Sequence, residues 1–452
     1  MTDQRTPPFD SESEVAVLGS ILQEDQRVLS ECHAAGVASE SFYVPAHRTI
    51  FGAMLDLNMR GKVIDALTLS KQLEGKHELE RAGGLTYLTK LIDDTPSVVN
   101  SESYIEIVRD KGQRRQIIQL SRDAEQSAYD LDRESGELLN EAQRNFFQAS
   151  KMAEGPKTNT EAANEEIDSW KAAMAGSGRG LKCFLEGYTD VMGGFRKGKT
   201  HYIGGASTMG KTTWLKNQLR YLSYELKIPT AFASIDDEHT EVLGSIACEV
   251  GDVSKFQLDH GRVELRGEKR GSRLRKAYGA MKMLLSKRDD GSPNFPLYIN
   301  DSIFDFDQFE SWTRYMVFKH GVEAVGLDYV QILEAGKRCK AKTQREILEY
   351  LGRNFRRLAK DTNVAMFLIS QVAEEHGQKK TKEPTTTRLF GSSGLYHAAY
   401  TVTMIREEDK AYVIQCTKNK GGPQGSITAS FRKERQRFER EDSEEEEKFW
   451  DK

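Results

Sequence analysis

Eight consecutive residues, Gly205-Ala206-Ser207-Thr208-Met209-Gly210-Lys211-Thr212, constrain this chain more than anything else in it. They carry the spacing G-x-x-x-x-G-K-[ST] of a Walker A loop, between a strand-like run at 200–204 and an amphipathic run at 213–222 that reads as a helix. That context is what the chemistry requires. Glycines let the backbone bend so that N–H groups from Gly205 to Thr213 surround phosphate oxygens, and the helix N-terminus adds positive potential. Lys211 is placed to reach the β- and γ-phosphates of a nucleotide such as ATP, and Thr212 to ligate Mg²⁺. A loop of this kind has to be delivered by a strand at the carboxyl edge of a sheet, which makes the surrounding fold α/β.

The rest of the chain divides around that expectation. Residues 1–150 read as a small all-α domain. Asp10 and Ser11 can cap a helix with Val15, Leu18, Ile21 and Leu22 on one stripe, and Pro45 opens another with Ile50, Phe51, Met54 and Leu55. Leu67, Leu69 and Leu73 begin a further apolar face, Gly83–Leu85 punctuate, and a long helix is expected over 103–131. Residues 151–180 are polar with Gly and Pro and read as a linker, with a short amphipathic helix carrying Ile167, Trp170 and Ala173. Residues 181–435 alternate strands and helices. Strands are expected at 200–204, 230–235, 297–299, 324–328, 364–369, 402–405, 412–417 and 427–431, giving a mainly parallel sheet that finishes in antiparallel strands. Residues 436–452, with the run Glu444–Glu447, read as a charged tail.

Three further positions suit nucleotide chemistry. The apolar stretch Val325-Gly326-Leu327 ends in Asp328, a carboxylate for Mg²⁺ at the same sheet edge as the loop. Hydrolysis also needs a carboxylate that orients water, and 230–235 runs into Asp236, Asp237 and Glu238, any of which could instead cap the helix that follows. The run at 364–369 leads to Gln371, where an amide could sense the γ-phosphate.

Composition limits the classes open to such an ATPase. Net charge is −4 over 452 residues, so contact with a polyanion must come from local basic patches. Five scattered cysteines, Cys32, Cys183, Cys248, Cys339 and Cys416, have neither zinc nor redox spacing and suit a reducing cytosol. The polar start MTDQRTPPFD does not read as a signal peptide, and no apolar run is long enough for a membrane span. A cytoplasmic location is expected, bacterial or that of a host cell.

Beyond the loop, residues along nearly the whole chain resemble one family. Pro8-Phe9-Asp10-Ser11-Glu12 with Ala16–Ile21, Phe42-Tyr43, His47-Arg48, Ile64-Asp65, Gly83-Gly84-Leu85 with Tyr87-Leu88, and Thr95-Pro96-Ser97 look like the N-terminal domain of DnaB-type replicative helicases. Gly187-Tyr188-Thr189-Asp190, Gly193-Gly194-Phe195, Asp328-Tyr329-Val330-Gln331, Ile369-Ser370-Gln371 and Lys418-Asn419-Lys420-Gly421-Gly422-Pro423 continue the likeness. The resemblance implies a RecA-like ATPase domain joined to a helical collar that docks primase. It implies a ring of six copies, ATP held between neighbours, a loader, and 5′→3′ movement on encircled single-stranded DNA. Position by position, it gives Lys211 and Thr212 to phosphate and Mg²⁺, Asp328 to the metal, Gln371 to the γ-phosphate, and Lys418 and Lys420 to the neighbouring subunit's nucleotide.

A ring motor needs basic loops facing its channel. Lys337, Arg338, Lys340 and Lys342, after the Asp328 strand, and Lys379, Lys380 and Lys382, after Gln371, are the candidates for DNA phosphate contact. Arg353, Arg356 and Arg357 on the helix between them read as structural.

Three departures from the family stand out. Asp236 occupies the position of the usual catalytic Glu, one methylene shorter. Lys420 stands where Arg is usual and lacks its planar fork. His397 and Tyr400 replace a Gln and an acidic residue. Together they mark a divergent member, of the kind a phage or mobile replicon carries. A RecA-type recombination ATPase and a weakened paralogue acting as a replication scaffold are the competing readings. The collar-like N-terminal residues argue against the first and the intact loop against the second.

Overall fold

The computed structural model describes residues 6–153, 159–174, 180–260, 268–288, 291–371, 393–408 and 411–440. It divides into two compact units, Met1–Asp168 and Ser169–Lys452.

The first unit is helical. Helices Ser11–Gln23, Asp25–Ala34, Pro45–Met59, Ala66–Gly75, Gly84–Asp93 and Ser101–Ala128 enclose a core of Leu18, Ile21, Phe42, Phe51, Met54, Leu69, Leu88 and their neighbours, and Ser135–Ala153 follows. Asp10 caps the first helix by accepting from Ser13 N–H at 2.9 Å, as its sequence position predicts. Leu67 departs from the expected apolar face: it is 59% exposed, while Leu69 and Leu73 are buried. The centre of this unit is polar. The buried Glu14 carboxylate accepts from Tyr43 and Val44 N–H and meets His47 Nδ1 at 2.7 Å, and His47 Nε2 lies 2.7 Å from the Tyr87 hydroxyl. Tyr43, His47 and Tyr87, noted above as family-like, are thus tied into one network that fixes the entry to the Pro45 helix. The segment 151–180 contains the helix Asn159–Ala172.

The second unit is built on one nine-stranded sheet. Its strands are β1 Lys199–Gly205, β2 Thr230–Ser234, β3 Leu297–Asn300, β4 Ala324–Asp328, β5 Ala365–Gln371, β6 Thr401–Glu408, β7 Ala411–Asn419, β8 Gly425–Arg432 and β9 Arg437–Arg440. Their spatial order is β3-β2-β4-β5-β1-β6-β7-β8-β9, parallel from β3 to β6 and antiparallel from β6 to β9. This is the fold class expected from the sequence. Successive side chains go to opposite faces, and both faces are covered. Ile203, Phe367 and Ile369 pack with Trp214, Leu215 and Leu219 on one side; Tyr202, Met366 and Leu368 pack with Phe306, Phe309 and Phe355 on the other.

The end of the sheet differs from expectation. Residues 436–440 were expected in the charged tail, but 437–440 form β9, paired to β8 in the register Phe431↔Phe438. Phe438 is the only large apolar residue in that strand, too little for a period-2 signal. Its burial supplies the reason the strand forms: the Phe438 ring stacks on Phe431 at 4.3 Å, and its N–H donates to the Asn217 side chain at 3.0 Å. Among the described residues no helix is long and apolar enough to cross a membrane.

Candidate active site

Parallel strands β2, β4, β5 and β1 end at the same edge, so the residues that follow them converge. β1 delivers the loop 205–212, and the helix Lys211–Arg220 starts beneath it with Gly210 as N-cap at φ +81°. A Cβ on Gly210 would lie 2.7 Å from the Phe431 ring, so both space and conformation require glycine there. Gly326 on β4 is similarly tight: a Cβ would come within 2.7 Å of Leu219, which lets the helix sit close on the sheet. Trp214 N–H donates to Gly210 O at 2.8 Å, so the three preceding amides lie ahead of the first intrahelical bond.

Lys211 is 7% exposed and its Nζ donates to Ala206 O at 2.7 Å, which folds the side chain back over its own loop. Burial pushes its ammonium pKa down, and the nearby Asp328 charge opposes that shift. Asp328, 4% exposed at the end of β4, is pushed up to about 6 by burial; the Thr212 hydroxyl bonded to it and the Lys216 charge pull the other way. This pair fits Mg²⁺, a hard cation that takes few protein oxygens beside water and phosphate. Among the described residues no group of three or more His, Cys, Asp or Glu could hold a metal by itself.

The three acidic residues after β2 have separate fates. Asp237 accepts from the buried Lys216 at 2.7 Å, and its backbone carbonyl takes the Ser234 hydroxyl at 2.7 Å. Glu238 is the N-cap residue of helix His239–Gly251, but its side chain makes no capping bond; Asp301 accepts from His239 N–H at 2.9 Å instead. Asp236 is exposed, and its charge is felt by Asp328 and Tyr329.

Gln371 closes β5 opposite Gly205, beside the phosphate loop. Its backbone is gripped on both sides by Gln331, whose amide donates to Gln371 O at 3.0 Å and to the Ser370 hydroxyl at 2.8 Å, and accepts from Gln371 N–H at 3.2 Å. The Tyr329 hydroxyl meets the Gln371 side chain. Sequence reasoning gave Gln331 no role, although it sits in the quartet that starts at Asp328. It also missed Lys216, one helical turn beyond the loop, and the turn between β8 and β9. There Gln436 accepts from the Thr213 hydroxyl at 3.3 Å and, through its backbone carbonyl, from Asn217 at 2.9 Å. Thr213 therefore has only its backbone amide to offer a phosphate.

Lys418 and Lys420 do not join this group. β6 is parallel to β1 and pairs Thr401 with His201, while β7 returns antiparallel and pairs Asn419 with Thr401. The lysines thus stand at the amino edge of the parallel strands, opposite the phosphate loop. Lys418 Nζ donates to Tyr396 O and lies 4.2 Å from the Tyr396 ring centre; Lys420 Nζ donates to His397 O at 3.3 Å. Burial, with repulsion from Lys420 and Arg356, pushes Lys418 down to about 8.

Of the basic loop after β4, Lys337, Lys340 and Lys342 are exposed at the carboxyl edge. Arg338, expected to hold DNA, is committed elsewhere: its guanidinium binds Asp307 and Glu310, at 2.6 Å for the latter, and pins the loop to helix Phe306–His320. Lys379, Lys380 and Lys382 lie outside the described residues.

Comparison with known proteins identifies the family of both units. Residues 6–110 match the family model for the DnaB-like helicase N terminal domain, and residues 180–440 that for the DnaB-like helicase C terminal domain. The chain is 24% identical to the replicative DNA helicase DnaB of Geobacillus stearothermophilus, covering 96% of this chain and 95% of that protein. It is 27% identical to the DnaB of Pasteurella multocida, covering 96% and 94%. A solved structure of a DnaB-like replicative helicase, described with its interactions with primase, superposes with a TM-score of 0.67 at 22% identity, over 96% of this chain and all of the other.

Proposed function

This chain belongs to the DnaB-like helicase family, and from that membership we propose that it is a replicative DNA helicase, an enzyme that couples ATP hydrolysis to unwinding at a replication fork. We assign ATP and Mg²⁺ to the carboxyl edge. The amides from Gly205 to Thr213 cradle the phosphates, Lys211 turns from Ala206 O to the β- and γ-phosphates, and Thr212 and Asp328 hold Mg²⁺. Mg²⁺ held there by Thr212 and Asp328 would supply charge neutralisation at the phosphates. Asp236 positions the attacking water, because Asp237 is spent on Lys216 and Glu238 sits at a helix start. The water oxygen bonds to the γ-phosphorus as the bond to the bridging oxygen breaks, and the electron pair leaves with ADP. One water proton stays on the phosphate and the other departs through Asp236. Gln371, held by Gln331 and Tyr329, reports the γ-phosphate to the segment that follows β5.

One observation carries the assembly. Lys211, Thr212, Asp328, Asp236 and Gln371 share one edge of the sheet, while Lys418 and Lys420 stand on the other. Two edges of one sheet cannot meet in one subunit, but they meet when copies pack edge to edge, and a closed ring of six makes each interface equivalent. Lys418 and Lys420 then act on the neighbour's γ-phosphate. The exposed Lys337, Lys340 and Lys342, with Lys379, Lys380 and Lys382, track phosphates of single-stranded DNA in the channel in the 5′→3′ direction. Residues 1–150 form the collar that docks primase, 151–180 link it to the motor at 181–435, and a loader places the ring on DNA in the cytoplasm. The test is unwinding of a forked duplex with a 5′ single-stranded tail, beside Lys211→Ala. Strand separation that needs ATP, the 5′ tail and Lys211 supports the motor. Ring assembly and ATP binding without unwinding, even on a free 5′ end, sinks it in favour of a scaffold.

A further inference from the structure

The amino edge carries more positive charge than two lysines. Helix Gln344–Thr362 packs against the short helix Ser393–Ala398, and a cavity of about 320 Å³ between them is lined by Glu349, Arg353, Arg356, Gly394, His397 and Ala398. Lys420 Nζ reaches the same place through His397 O. On this helix Arg345 is paired with Glu349 and Arg357 with Asp361, whereas Arg353 and Arg356 have no hydrogen bond or ion pair among the described residues. The one carboxylate lining the cavity, Glu349, is already engaged by Arg345. Lys418 and Lys420 are satisfied by backbone carbonyls, which leave their charges uncompensated. Repulsion from Arg356 lowers the pKa of both lysines. Among the described residues this cluster of cations has no uncommitted anion of its own, and so it suits one that arrives from outside.

Lys420 is a point charge and cannot grip two equatorial phosphate oxygens at once. A guanidinium can, and its fork matches the geometry of a transferring phosphoryl group. We propose that Arg356, from the helix after β4, is the bidentate trans-acting residue of this motor: across the subunit interface it clasps the neighbour's γ-phosphate beside Lys418 and Lys420. This rests on the edge-to-edge reading above. In the sequence Arg356 reads as structural together with Arg353 and Arg357; the helix Ser393–Ala398 and β7 beside it bring the two lysines into its field. The guanidinium stabilises charge on the equatorial oxygens as the γ-phosphorus bond to the bridging oxygen breaks and water bonds in its place.

The experiment uses full-length rings and single-stranded-DNA-stimulated ATP turnover. Arg356→Ala and Arg356→Gln are expected to lower kcat about 100-fold or more with little change in ATP KM, the scale of losing a preorganised transition-state donor. Arg356→Lys should restore little of this, because charge without the fork is insufficient. The decisive arm mixes Arg356→Ala with Lys211→Ala subunits. Each is silent alone, yet mixed rings regain turnover where a Lys211→Ala subunit lends its Arg356 to an intact loop next door. Turnover within a few-fold of the parent for both Arg356→Ala and Arg356→Gln, full rescue by Arg356→Lys, or no recovery on mixing overturns the proposal. So does a loss of single-stranded DNA affinity with kcat intact, which would make Arg356 a DNA contact. If Lys418→Ala and Lys420→Ala also leave turnover unchanged, the trans reading itself fails; if they impair it while Arg356→Ala does not, only this inference does.

Discussion

Two adjacent carboxylates give the sharpest test of the proposed hydrolytic site, because Asp237 pairs with Lys216 whereas Asp236 is exposed. Asp236→Asn removes the proposed water-positioning group from an exposed side chain. Loss of a positioned acid–base group typically costs 10²–10⁴-fold, so kcat should fall by that order, about 3–5 kcal/mol of barrier, with unchanged thermal stability. Asp237→Ala does something else. It strips the partner from Lys216, which is 5% exposed and held at 2.7 Å. Breaking a buried pair costs roughly 3–5 kcal/mol, and solvent at the partly exposed carboxylate lowers this to roughly 2 kcal/mol. For a domain of this size that is roughly 4 °C or more in melting temperature. Steady-state ATP turnover and a thermal melt on both variants, with Asp236→Glu alongside, make the comparison. Asp236→Glu, which restores the family's usual side chain, should keep turnover. The reasoning is refuted if Asp237→Ala abolishes turnover at unchanged stability while Asp236→Asn stays active.

Other outcomes follow from the same geometry. Lys418, pushed down to about 8, carries its charge below that pH and loses it above. Turnover that depends on it should therefore decline as pH rises through about 8, and Lys418→Arg should remove the decline in a pH–rate profile. Arg338→Ala should destabilise the motor domain by leaving Asp307 without its cation and Glu310 with Arg314 alone, yet barely change affinity for single-stranded DNA. Lys340→Ala with Lys342→Ala should weaken that affinity and reduce the slope of log K against log salt by roughly 0.7 per lysine, measured by fluorescence anisotropy. Glu14→Ala leaves two backbone N–H groups and His47 without their buried acceptor. It should destabilise the helical unit by about 3 kcal/mol in a denaturant melt, with ATP turnover per assembled ring unaffected.

What was legible in the sequence was what lies close together along the chain. The loop 205–212 is contiguous, and its spacing carries its chemistry. Asp328 closes a five-residue buried strand, and eight of the nine strands announce themselves by apolar runs. β9 did not, because its one apolar residue is buried by a partner strand and by Asn217 more than 200 positions away. The same distance in sequence hid Gln436 beneath Thr213. The ion pairs of Arg338 were hidden for a related reason: its partners Asp307 and Glu310 lie about 30 positions earlier in the chain.

The amino edge shows the limit most clearly. Nothing in the order Lys418-Asn419-Lys420 says which side of the sheet it occupies. That follows from two registers, β6 parallel to β1 and β7 antiparallel to β6, and each depends on side chains buried on both faces. A one-residue slip in β7 would turn Ile414 and Cys416 outward and point Lys418 away from Tyr396. The placement of Lys418 and Lys420 is thus a consequence of core packing. Substituting Cys416, buried under Tyr188, with a larger residue should impair hydrolysis through Lys418 while leaving nucleotide binding at the loop intact. Equal losses of ATP binding and turnover in such a variant would show that the two edges do not act separately.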